Sequence, residues 1–116
     1  MRKRASYSPR RFVTRPALVP SDNETDDYFG SPIALWGDRM LVGATGTNGP
    51  NTAGAAYVYQ RQEGIWREEA KLTIPRSSRS DDITRSVALY DSVAVLGAPG
   101  SDNDAGVVHL FRLTEA

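Results

Sequence analysis

The chain has 116 residues, enough for one domain at most. Hydrophobic residues make up 40% and charged ones 24%, ordinary for a folded body, and the lack of cysteine excludes disulfides, thiolate chemistry and Cys-based zinc sites. The 14 basic and 14 acidic residues cancel unevenly, because Arg2, Lys3, Arg4, Arg10, Arg11 and Arg15 all precede the first acid, Asp22.

Residues 1–16 read as a basic, partly disordered arm, better suited to solvent than to nucleic acid or anionic lipid. Met1-Arg2-Lys3-Arg4 has the basic start of a signal peptide, but Ala5 to Arg10 puts no apolar core behind it. No run reaches the length of a membrane span. Arg11-Phe12-Val13-Thr14-Arg15 suits a strand that Pro16 ends or confines to an edge.

One stretch then occurs twice. Asp27 to Thr45 returns at Asp81 to Pro99 with a constant offset of 54, and Asp27/Asp81, Ala34/Ala88, Leu35/Leu89, Gly43/Gly97 and Ala44/Ala98 are identical. Such a period marks a propeller or solenoid array. Ile33-Ala34-Leu35-Trp36 and Arg39-Met40-Leu41-Val42 flank Gly37-Asp38, the pattern of a hairpin with a type II′ turn; Asp91-Ser92 takes the turn position in the second copy. A third strand follows in each copy, Gly54 to Gln60 and Gly106 to Arg112. Both are apolar at nearly every position and are expected to be covered on both faces. Glu63-Gly64 turns into a more polar fourth strand, Ile65 to Leu72. No segment has sustained helical periodicity, so the expected class is all-β: two antiparallel four-stranded blades of a β-propeller, partial or closed by oligomerisation. Blade 1 spans 17–74 and blade 2 spans 75–116, the latter lacking a fourth strand of its own. Arg11 to Val19 is the spare segment expected to complete it, within the chain or in a neighbour.

Phe29-Gly30, followed by Gly43-Ala44-Thr45 and later Gly97-Ala98-Pro99, resembles the FG-GAP repeat. Gly37-Asp38, the Gly54 to Tyr59 run, Trp66 and Lys71-Leu72 fit as well, and the similarity spans roughly Leu18 to Phe111. It is closest to FG-GAP proteins of bacteria and more distant to integrin α-subunit heads. The resemblance implies a β-propeller, extracellular or at the cell surface, used for protein or glycan binding and adhesion. It also implies calcium in some members, through an Asp-x-Asp-x-Asp-Gly loop after Gly-Ala-Pro. Copy 1 has no carboxylate there. Copy 2 offers Asp102, Asn103 and Asp104, half a calcium site, since calcium takes six to eight oxygens. Ile83-Thr84 replaces Phe-Gly, which makes copy 2 degenerate.

Catalysis finds little footing. His109 is the only histidine and sits mid-strand, so neither a multi-histidine metal site nor a Cys–His pair can be built from one chain. There is no Gly-x-Ser-x-Gly and no phosphate-cradling glycine loop. Trp36, Tyr57, Tyr59 and Trp66 could stack sugars but suit blade packing better. A closed propeller of four blades at this period would take about 216 residues. The chain is therefore expected to self-associate or to belong to a longer propeller, either as a binding module or as a structural segment without its own ligand.

Overall fold

The computed structural model describes residues 11–22, 28–45, 54–74, 83–101 and 105–114. These contain seven strands: β1 (Phe29–Trp36), β2 (Arg39–Ala44), β3 (Ala55–Gln62), β4 (Ile65–Leu72), β5 (Ser86–Tyr90), β6 (Val93–Ala98) and β7 (Val107–Arg112). They form two antiparallel sheets in sequence order, β1-β2-β3-β4 and β5-β6-β7, as the meander of a propeller blade does.

Turn chemistry explains the meander. Between β1 and β2 only Gly37 has positive φ, at 55°, as a type II′ turn requires. Asp91 takes the same place between β5 and β6 at φ 51°, a region that Asp tolerates better than most residues. Glu63 and Gly64 are both positive, at 53° and 77°, which is the type I′ pattern. One tie recurs in both sheets: Arg61 N donates to Asp38 O and Leu113 N to Ser92 O, each at 2.7 Å.

The register assigns every side chain to one of two faces. Met40, Val42, Tyr57 and Tyr59 lie on the leading face of the first sheet; Ala34, Leu41, Ala56 and Val58 lie on its trailing face. The trailing face packs against the leading face of the second sheet, where Ile83, Leu89, Ala94, Leu96 and Ala98 complete a shared cluster. Val42, Ala44, Ala55, Tyr57 and Tyr59 form a separate cluster on the leading face of the first sheet. Each core therefore lies on a sheet face, as expected of stacked blades.

At Gly54 the first sheet comes close to the segment that leads into the second. The Gly54 φ is +99°, and a Cβ there would sit 2.6 Å from the Ile83 carbonyl oxygen. Phe29 and Ser31 both pair with Ala44, so Gly30 is the extra residue of a β-bulge at φ +109°. Thr84 holds the equivalent position in the second copy at φ +69°, fully buried, with its hydroxyl donating to the Ile83 carbonyl. A β-branched residue at positive φ is an outlier, so the degenerate copy retains the bulge-like backbone without its glycine.

Two expectations need correcting. Arg11 to Pro20 contains no strand and pairs with no described strand, so it does not complete the second sheet within the chain. Instead Leu18 packs on the leading-face cluster of the first sheet and Pro20 is buried. The third strands also differ: β3 is buried on both faces along most of its length, whereas β7 alternates, with Val108 and Leu110 exposed. No described segment packs on that side of β7, although the two sequences are similarly apolar.

Candidate binding surface

Chain connectivity sorts the connections by end. The two-residue turns at Gly37-Asp38, Glu63-Gly64 and Asp91-Ser92 all lie at one end of the sheets. The lead-in to β1 and the connections β2–β3, β4–β5 and β6–β7 all leave and return at the other. A propeller presents its variable segments in this way, on a rigid scaffold. At the last of these connections Gly106 N donates to Ser101 O at 2.8 Å, closing the loop at its base. The proposed ligands Asp102, Asn103 and Asp104 lie within that loop but outside the described residues. Among the described residues, no group of three His, Asp or Glu side chains could hold a metal ion.

Near the loop end, the leading face of the first sheet carries a polar cluster over an aromatic floor. The Tyr57 hydroxyl donates to Asp22 Oδ1 at 2.7 Å, and Lys71 Nζ donates to Asp22 Oδ2 at 2.5 Å. Lys71 also sits 5.4 Å from the centre of the Tyr57 ring, within cation–π range. Phe29 meets Tyr57 and Tyr59 edge-on, with ring centres 5.6 and 6.1 Å apart. Ser21 N donates to Glu68 Oε1 at 3.3 Å, so Leu18 to Asp22 is strapped across the face by apolar, neutral and ionic contacts.

The electrostatics of this cluster suit binding better than proton transfer. Hydrogen bonds from Lys71 and then Tyr57 hold the Asp22 carboxyl below its usual 3.8. The bond to Asp22 raises Lys71 above 10.5. Burial, then the bond to Asp22, pushes Tyr57 up to about 12; burial, then the nearby Glu68 carboxylate, does the same for Tyr59. None of the four is poised near neutrality, where a general base would work best.

The aromatic residues divide as packing predicts. Tyr57 and Tyr59 are buried and Trp66 packs beside them, with the Arg61 guanidinium 5.3 Å from its ring. Trp36 meets Tyr90, its repeat counterpart, with ring centres 4.4 Å apart at the turn end. They bridge the two sheets at that end. His109 lies opposite Leu96 on β7, half-buried on the face toward the first sheet. The Asp22 cluster escaped sequence reasoning, because its members stand 35 and 49 residues apart and the acidic run around Asp22 reads as a solvated linker.

A cleft of about 400 Å³ opens on the outer side of the second sheet, lined by Ser86, Gly97, Pro99, Gly106 and Val108 among others. A family model described as the FG-GAP repeat matches the chain twice, over residues 14–59 and 66–111. The chain belongs to the FG-GAP repeat family. Comparison with curated proteins gives no match. FG-GAP repeats build propeller modules and are generally non-enzymatic, in keeping with the blades seen here. The FG-GAP unit is staggered against the sheets. Its second match opens at Trp66, in a strand that hydrogen-bonds into the first sheet, and closes at Phe111 in the second.

Proposed function

We propose that the chain is a non-catalytic, integrin-like FG-GAP module that binds a protein or glycan in adhesion, at an extracellular or cell-surface location. The observation that carries this reading is the gathering of every long connection at one end of two packed blades, opposite three tight turns. Asp81, Asp82, Asp102 and Asp104 fall in those connections, and a ligand there would meet carboxylates and amides more than apolar groups. Binding to a glycan array and to cell-surface protein extracts tests it. Loop-end substitutions in 99–106 should abolish binding, and turn-end substitutions at Asp38 or Asp91 should leave it intact. The reverse pattern, or no binding at all, removes the reading. Calcium at Asp102, Asn103 and Asp104 is tested separately by titrating thermal stability, because extracellular sites bind in the millimolar range. No shift there removes calcium from the account.

A second reading is favoured by the apolar residues left in water. Ile33 and Leu35 on the leading face of the first sheet are 62% and 63% exposed, and Val108 and Leu110 on the outer face of the second are 59% and 70% exposed. Large apolar patches mark interaction surfaces. In this reading the chain supplies blades to a larger ring, completed by copies of itself or by a longer propeller partner.

A further inference from the structure

Two unfinished features of the chain are complementary. Among the described residues β7 hydrogen-bonds only to β6, so its outer edge is open, whereas its counterpart β3 carries β4 there. Residues 14–20 are the converse. The first family match opens on them as the second opens on Trp66 to Leu72 of β4, so they correspond to an outer strand, yet they pair with no described strand. Leu18 already sits where such a strand would place it. It packs on the leading-face cluster of the first sheet, as Leu72 packs on the cluster between the sheets.

We infer that residues 14–20 of one copy add as a fourth, antiparallel strand to β7 of a second copy. This seats the second copy's outer face on the first copy's leading face. It rests on the reading of the chain as part of a larger ring. The two surfaces are the two halves of the interface already formed inside each chain. Val108 and Leu110, exposed, hold the positions of Ala56 and Val58, which are fully buried at that interface. Ile33 and Leu35, exposed, hold those of Val87 and Leu89, which are covered there. The cleft beside Gly106 fits the same scheme: Gly106 of the second copy corresponds to Gly54, against which Ile83 docks, and Phe29 of the first copy is the counterpart of Ile83. Main-chain bonds of an added strand would supply the affinity, and the facing apolar residues the fit. Pro16 suits an outermost strand, which has one side free of the ladder. The contact is heterologous, so it either closes as a ring or runs on as an open filament, and with the two blades described here per copy a ring of four to eight blades would take two to four copies.

The register is fixed by analogy. Leu18 aligns with Leu72 at the repeat offset of 54, and Leu72 stands opposite Ala56, so Leu18 should stand opposite Val108, the counterpart of Ala56, in the other copy. The absence of native cysteine makes this directly testable. Leu18→Cys and Val108→Cys proteins, mixed and oxidised, should give several times more cross-linked product than Val19→Cys with Val108→Cys. Native mass measurement should find a closed species of two to four copies, and the exposed-site double variant Val108→Asp/Leu110→Asp should run as a folded monomer with an unchanged circular dichroism spectrum. A native monomer at high concentration would overturn both strand addition and self-assembly. An oligomer without selective cross-linking at 18 and 108 would overturn strand addition and leave the larger ring standing.

Discussion

Tyr57 and Tyr59 stand two residues apart on one strand, on the same face, and their hydroxyls have different fates. The Tyr57 hydroxyl reaches Asp22, whereas the Tyr59 hydroxyl is buried and finds no partner among the described residues. Leaving a buried donor unpaired costs about 1–3 kcal/mol, while an ordinary hydrogen bond contributes about 1 kcal/mol. Tyr59→Phe should therefore be neutral or stabilising by about 1 kcal/mol, and Tyr57→Phe destabilising by a similar amount, as read by urea denaturation. Both tyrosines have raised values, so the folded state resists their ionisation: stability is unaffected below pH 10 and falls as pH rises toward about 12. Absorbance titration should show two of the five tyrosines ionising late, together with alkaline unfolding. Asp22 has the opposite sign: its contribution is present above pH 3.8 and is lost as pH falls through its lowered value. Because the Asp22–Lys71 pair is partly exposed, that loss should be small, about 0.2–1 kcal/mol. Gly54→Ala should cost more, about 1–2 kcal/mol from φ alone, because the Ile83 carbonyl oxygen lies where the methyl would go.

The strands themselves were legible. Alternation around Gly37-Asp38, its echo at Asp91-Ser92 and the Glu63-Gly64 turn were enough to place both first hairpins and the polar outer strand. Glu63 is the weak point of that outer turn, since a type I′ turn asks for Asn or Asp at the first central position. Glu63→Asn should stabilise the chain by about 0.5–1 kcal/mol in thermal or chemical denaturation. The fate of residues 11–20 was not legible. A strand needs a partner as well as a sequence, and Leu18 finds a sheet face where Phe12 and Val13 are exposed and pair with no described strand. Composition could not distinguish β3 from β7 either, because burial depends on the neighbouring sheet. For the same reason the Tyr57–Asp22–Lys71 cluster left no local signal: it exists only once the lead-in lies across β3 and β4.

At the scale of the molecule, two sheets share one core and each leaves a second apolar face to other company. Fully burying a side chain such as Val108 or Leu110 is worth about 1.5–3 kcal/mol. Covering both open faces would therefore rival the whole stability of a small domain. Apparent stability should then depend on protein concentration, because association that occurs only in the folded state shifts unfolding by mass action. Thermal unfolding at a series of concentrations should show a rising midpoint for the native chain and a fixed one for Val108→Asp/Leu110→Asp. An invariant native midpoint would count against any self-closing ring.

The stagger between the FG-GAP unit and the sheets bears on how such a chain unfolds. The second repeat begins in β4, which completes the first sheet and also places Leu72 in the core shared by both. Excising residues 66–111 would thus strip a strand from the sheet left behind. Neighbouring units are spliced, like overlapping tiles, and the loss of one frays the next. Local damage in this architecture is felt across the boundary, which favours a single cooperative transition over piecemeal melting.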